Sequence, residues 1–202
     1  MKEMYNNYKR ELSKKNNLML LVLIVFIIGL IFGSIYITIL STNQKTIVIK
    51  QVTNYFNSTA KMSFEDKIDI FKNSLYSNLL YTAVIWILGI SIIGIPIVFI
   101  MVFFKSFILG FSVSSIFAKY GIKGFLKAVL YILPTNIVMT VFILFLASYS
   151  ILLSTKIFLA TFKKETINFK TFMGKYLFIL VLAILLSILC ALYEAFINPL
   201  LY

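Results

Sequence analysis

The 202-residue chain is dominated by apolar residues, which make up 61% of it, whereas charged residues make up 13%. Soluble domains average about 45–50% and 25%, so this composition excludes an ordinary water-soluble globular protein. The net charge of +12 does not indicate nucleic-acid binding. The lysines lie between apolar blocks, where they fix membrane orientation and contact anionic lipid head groups.

The first apolar block, Leu18–Leu40, contains 23 consecutive residues without a charge. As a helix it is roughly 34 Å long, enough to cross a hydrocarbon core of about 30 Å. It exceeds the core of a signal peptide, and Ser41–Gln44 offers no Ala-x-Ala cleavage site. We therefore predict a retained transmembrane helix at residues 18–40, after a basic cytoplasmic N-terminus at residues 1–17.

Gly29 and Gly33 form a GxxxG spacing within this first span, a pattern that allows two helix backbones to approach closely. The partner helix belongs either to the same chain or to a second copy in a homo-oligomer. Packing within the chain is the favoured interpretation.

Residues 41–77 are predicted to be an extracytoplasmic loop that contains an amphipathic helix. Ser63 with an acid three residues later resembles a helix N-terminus. Phe64, Ile68 and Phe71 then recur at helical spacing and define one apolar face. This face either lies against the membrane and the bundle or docks an extracytoplasmic partner.

The remaining residues, 78–202, are predicted to form about four further spans, the first within Asn78–Phe104. Two registers fit. In the favoured one the helix is kinked at Gly94–Pro96 and a cytoplasmic turn follows at Lys105-Ser106. In the other the chain turns at Gly94–Pro96, which leaves Lys105 near mid-membrane at a cost of a few kcal/mol without a partner.

The central blocks are irregular in length. Phe107–Ala118 is too short for an upright span and is predicted to be a half-span or part of a tilted helix. A glycine-containing basic turn follows at Lys119–Gly124. Pro134 divides the next block into a half-helix or interfacial helix, Phe125–Leu133, and a span, Thr135–Leu159. Whether residues 107–133 cross the membrane or re-enter it stays open.

A second basic loop contains Lys163, Lys164, Lys170 and Lys175 against Glu165, which predicts a cytoplasmic position. The last span, Tyr176–Leu192, then returns the C-terminus to the outside. Because the apolar blocks are continuous and do not alternate, a β-barrel is excluded. The predicted fold is an all-α polytopic transmembrane bundle of about five spans with kinked or half-length helices in the middle.

Side chains that could perform chemistry are scarce. The chain has no histidine, and its single cysteine, Cys190, lies in the last apolar block, where it is expected to fill space. No phosphate-binding glycine loop is present. We therefore expect no enzyme activity and no catalytic, cofactor or metal site.

Glu194 is the one acid in or beside an apolar block. With Asn198-Pro199 it could recognise a partner or an ion. The favoured alternative is a carboxylate at the interface, solvated or paired with Lys119, Lys123 or Lys127. By the favoured topology the centre of the bundle lacks ionisable residues.

Several segments, taken in order over almost the whole chain, resemble the stage II sporulation protein M family: Phe71–Leu79, Leu88-Gly89, Lys105–Gly110, Leu133–Asn136 and Tyr193–Pro199. The family often has Asn-Gly at the position of Lys105-Ser106. It often has Leu-Pro-His-Gly or Pro-Gln-Asn at the position of Leu133–Asn136.

The resemblance implies a polytopic scaffold in the mother-cell membrane during endospore formation. It implies a complex with stage II sporulation proteins D and P, which degrade peptidoglycan while the membrane engulfs the forespore. Residues expected at partner or helix contacts are Gly29, Gly33, Phe64, Ile68, Phe71, Pro134, Asn136, Glu194 and Pro199. The alternative is a transporter or channel component, because broken helices at Gly94–Pro96 and Leu133–Asn136 can build mid-membrane sites.

Overall fold

The computed structural model describes residues 2–59, 62–131, 133–163 and 169–201. Every regular element in these ranges is helical, which confirms the all-α class. The α-helices are α1 (Lys2–Ile39), α2 (Thr42–Thr59), α3 (Phe64–Gly89), α4 (Gly94–Tyr131), α5 (Leu133–Lys163) and α6 (Phe169–Leu192). A π-helical turn (Tyr193–Ile197) and a 3₁₀ turn (Asn198–Leu201) follow α6.

Four helices in the described ranges are long and apolar enough to cross a membrane: Asn16–Ile39, Gly94–Leu126, Pro134–Phe162 and Phe172–Ile197. The fifth long helix, α3, is polar in its first half and apolar from Leu79 to Gly89. Side-chain contacts show that α3 and α5 run in one direction and α1, α4 and α6 in the other. The prediction of about five spans agrees with this bundle when α3 is counted.

The chain reverses direction at Ile90–Ile93, between α3 and α4, and the predicted turn at Lys105-Ser106 is wrong. Gly94 permits the reversal, since a Cβ there would lie 2.6 Å from the carbonyl carbon of Leu88. Pro96 falls in the first turn of α4, where its missing N–H costs no helical hydrogen bond. The proline therefore begins a helix here and does not kink one.

Of the two alternatives for Phe107–Ala118, a half-span or part of a longer helix, the structure has the second, because these residues belong to the continuous helix α4. This helix breaks only at Gly121, whose φ of 62° and ψ of −145° suit glycine. Beyond the break the chain folds back, because a Cβ on Gly124 would lie 2.7 Å from the carbonyl oxygen of Ile116. Residues 107–120 thus continue the span-length helix that begins at Gly94, and residues 122–131 form a short helix that folds back.

The first span packs along α4 through glycines. A Cβ on Gly29 would lie 2.6 Å from the carbonyl oxygen of Phe103, and one on Gly33 would lie 2.8 Å from the carbonyl carbon of Phe107. Gly110 of α4 makes the reciprocal close contact, since a Cβ on it would lie 3.1 Å from the carbonyl carbon of Leu30. Close approach of backbones at small residues is how helices associate where no hydrophobic effect drives them together.

Helix α5 is the centre of the bundle. More than half of its membrane-length window (56%) is buried inside the protein, whereas 17–28% of each other span is buried. The core around it is apolar and includes Ile143, Leu146, Ala147, Ile151 and Leu153. The other spans expose large apolar side chains, as expected for surfaces that face lipid.

Two further segments bear on the predictions. Helix α2 occupies a stretch of residues 41–77 for which the sequence reasoning proposed no helix. The predicted basic loop between the last two spans includes Lys164 and Glu165, which lie outside the described residues.

Candidate functional site

A polar cleft of about 370 Å³ lies among α3, α4, α5 and the π-helical turn, in the half of the bundle nearer to α2. Eight of its ten lining residues have polar or charged side chains, in contrast to the apolar core beside it. It is the candidate functional site, since polar groups inside a membrane bundle are costly and usually serve a function.

Helix α3 supplies one wall with Asn73, Ser74, Ser77 and Asn78. These residues are spaced one, three and one apart, so they share one helix face. The helix begins at Ser63, whose side chain and backbone form a capping box with Asp66. The cap confirms the helix start predicted at Ser63.

Helix α4 contributes Lys105, which lies level with the middle of the first apolar span. Gly29 is the central residue of the apolar run Leu18–Leu40, and it packs against Ser106, the neighbour of Lys105. The expectation that the bundle centre lacks ionisable residues is therefore wrong. It failed because the favoured register placed Lys105 in a surface turn.

The Lys105 ammonium lies 5.4 Å from the centre of the Tyr81 ring. A cation over an aromatic face gains about 2 kcal/mol where water is excluded. The Tyr81 hydroxyl donates a hydrogen bond to the carbonyl oxygen of Met101, one turn before Lys105. No hydrogen bond or ion pair to the ammonium occurs within the described part of the chain, so the cation faces the cleft with only partial compensation.

The π-helical turn contributes Glu194, and π-helical turns are frequent at functional sites. The Ser74 hydroxyl donates a 2.7 Å hydrogen bond to Glu194 Oε2. The favoured expectation placed this carboxylate at the interface, solvated or paired with Lys119, Lys123 or Lys127. In the structure it is half-buried and held by α3 instead; the side chain of Lys127 lies outside the described residues.

The start of α5 completes the cleft with Thr135, Asn136 and Met139. Pro134 stands in the first turn of this helix, where proline is tolerated. Cys190 of α6 is buried, with its sulfur 3.8 Å from the carbonyl oxygen of Thr135. The cysteine thus packs behind the cleft wall.

The cleft is closed at its inner end. Met139 lines it and also belongs to the buried core. Further towards the 90–93 turn, Tyr176 stacks on Trp86 at 5.6 Å and donates a 2.9 Å hydrogen bond to its carbonyl oxygen. Tyr176 itself is fully buried. The cleft thus ends against packed side chains on the side away from α2.

Of the residues predicted at contacts, the structure brings only Asn136 and Glu194 into the cleft. Phe64 is 68% exposed at the α2 side, and its ring lies 6.3 Å from that of Phe196. The other predicted residues lie elsewhere: Ile68, Phe71, Pro134 and Pro199 are half-buried, and Gly29 and Gly33 pack on α4.

Sequence reasoning missed Lys105, Ser74 and the other α3 residues as members of a site. The signal was present in the alternative register, which places Lys105 inside the membrane. An unpaired charge at that depth points to a partner or a functional site.

Comparison with known families decides the identity. A model of the family described as "Stage II sporulation protein M" matches residues 22–199. The chain belongs to the stage II sporulation protein M family. Searches of curated proteins and of solved structures found no match.

The family match spans nearly the whole bundle, from the first span to the 3₁₀ turn. It therefore includes every residue that lines the cleft. Together with four membrane-length apolar helices, the match identifies a sporulation-related integral membrane protein.

Proposed function

We propose that this stage II sporulation protein M is a non-catalytic scaffold that recruits and localises membrane-anchored peptidoglycan hydrolases, stage II sporulation proteins D and P, during engulfment. In this proposal the protein resides in the mother-cell membrane. Its N-terminus is cytoplasmic, and its α2 side faces the space that contains peptidoglycan. The family match over residues 22–199 is the observation that carries the proposal.

The surface on the α2 side supports a docking role. Phe64 leaves 68% of its side chain exposed next to Phe196, at the end of the bundle where α3 begins and α6 ends. Tyr76, three turns along α3, is exposed to the same extent. Exposed aromatic side chains on rigid helices are typical anchors of protein–protein interfaces.

The absence of histidine from the sequence supports a role without catalysis, because histidine is the commonest general acid–base. The hydrolytic chemistry is then assigned to the partners, and this chain supplies their position.

Affinity purification from sporulating-cell membranes tests the proposal. The intact protein is expected to recover both hydrolases, and Phe64→Ala is expected to reduce their recovery. Phe162→Ala is the matched control, since Phe162 is 67% exposed near the opposite end of the bundle. The proposal is contradicted if the intact protein recovers neither hydrolase under conditions that preserve other membrane complexes.

A transporter or channel component is the second candidate, and the polar cleft with Lys105 is the observation that favours it. Mid-membrane polar sites beside broken helices occur in transporters. The packed core at the inner end of the cleft argues against an open pore. Substrate-dependent flux into liposomes that contain only the purified protein would support this candidate.

A further inference from the structure

We propose that the polar cleft binds a small zwitterionic group, one that carries an ammonium and a carboxylate or phosphate a few bonds apart. Such a group occurs in short peptides and in the head group of phosphatidylethanolamine. The inference concerns the ligand of the cleft, and it depends on neither the scaffold role nor the transporter role.

The first step is charge balance. The cleft contains one cation, Lys105, and one anion, Glu194, which attract each other across it without forming a direct ion pair among the described residues. A purely anionic ligand would be attracted by Lys105 but repelled by Glu194. A purely cationic ligand would be attracted by Glu194 but repelled by Lys105. Only a ligand with both charges is attracted by both groups.

The second step is the location. Lys105 stands at the level of Gly29, halfway along an apolar run of bilayer length. In such surroundings the effective dielectric constant is low, and a charge without a partner is costly. A bound zwitterion would place its oxyanion on the ammonium of Lys105 and its ammonium on the carboxylate of Glu194. The free-energy cost of keeping each of these two charges in apolar surroundings would then fall.

The third step is the remaining lining. Asn73, Asn78, Thr135 and Asn136 contribute amide and hydroxyl groups to the walls. These groups can bond the neutral polar atoms of a peptide or a glycerophosphate. The volume of about 370 Å³ lies at the lower end of the range for small-molecule sites, about 300–1,000 Å³.

Isothermal titration calorimetry of the full chain in phosphatidylglycerol nanodiscs tests the proposal with two zwitterions. Trialanine is compared with N-acetyl-trialanine, and glycerophosphoethanolamine with glycerophosphoglycerol; each second compound lacks the ammonium. We expect at least one zwitterion to bind at least about tenfold more tightly than its counterpart, as loss of a charged hydrogen bond predicts. Binding of trialanine alone indicates a soluble source, and binding of glycerophosphoethanolamine alone indicates a lipid source.

Variants locate the binding. Lys105→Gln and Glu194→Gln are each expected to weaken it about tenfold or more. The matched controls Lys156→Gln and Glu65→Gln change charges outside the cleft and are expected to leave it unchanged. Lys156 lies 4.6 Å from the Phe172 ring near the other side of the membrane, and Glu65 is exposed in the first turn of α3.

The fold of each variant is checked by thermal unfolding and by the emission of Trp86, the single tryptophan. If a charge variant does not fold, Asn73→Ala at the exposed rim replaces it, with an expected loss of about threefold or more. The proposal is overturned if neither zwitterion binds more tightly than its counterpart. It is equally overturned if folded cleft variants bind as the wild type does.

Discussion

The contact between α1 and α4 can be tested by adding a single methyl group. In Gly33→Ala the new Cβ would lie 2.8 Å from the carbonyl carbon and 2.9 Å from the Cα of Phe107. Comfortable carbon–carbon contacts begin at about 3.5 Å, so the two helices must separate by roughly 1 Å at this point. Since the neighbour is backbone, no side-chain rotation can relieve the overlap.

The expected loss follows from that separation. A gap of about 1 Å removes a quarter to a half of the dispersion energy of the contacts it opens, and overpacked sites typically cost about 1–3 kcal/mol. This loss is offset by up to about 1 kcal/mol, because alanine has a higher helix propensity than glycine. We therefore expect Gly33→Ala to lower the free energy of unfolding by about 1–2 kcal/mol.

The measurement is unfolding in mixed micelles of increasing dodecyl sulfate fraction, followed by circular dichroism. Gly174→Ala is the matched control, because Gly174 also lies in a helix but has nothing within 4 Å of its would-be Cβ. The control is expected to be neutral or slightly stabilised. Equal midpoints for the two variants would refute the packing argument. A loss that depends on protein concentration would instead indicate that the glycines join two copies.

Three further predictions concern helix ends and the sealed end of the cleft. Gly121→Ala is expected to cost about 1–3 kcal/mol in the same unfolding assay, because its φ of 62° and ψ of −145° disfavour a side chain although space is available. Tyr176→Phe removes the hydrogen bond to the carbonyl oxygen of Trp86 and is expected to cost about 1 kcal/mol; no change would show that this bond is not needed for stability. Hydrogen bonds from the Ser63 side chain and backbone lower the pKa of Asp66 below its ordinary value of 3.8, so the cap stabilises α3 above pH 3.8 and weakens as the pH falls through the lowered folded value. Protection against hydrogen exchange in the first turn of α3, taken relative to the intrinsic exchange rate at each pH, is expected to fall over that range, and Ser63→Ala is expected to remove this pH dependence.

The sequence by itself determined that the protein lies in a lipid bilayer, that its fold is all-α, and which family it resembles. Uninterrupted apolar blocks of bilayer length require helices, because no backbone amide can stay unpaired in hydrocarbon. The helix start at Ser63 was also readable, since capping depends on residues three apart in the chain. Glu194 was noticed because a carboxylate beside an apolar block is unusual.

Only the tertiary structure decided where the chain turns and which polar groups meet. The hydropathy pattern favoured a break at Lys105-Ser106, because a lysine within a membrane span is costly. The break lies at Ile90–Ile93 because Gly94 permits the close approach to Leu88 there. Ser74 and Glu194 are 120 residues apart, and no local pattern connects them. The cost of a charge in the membrane depends on its neighbours in space, and those neighbours exist only once the helices have packed.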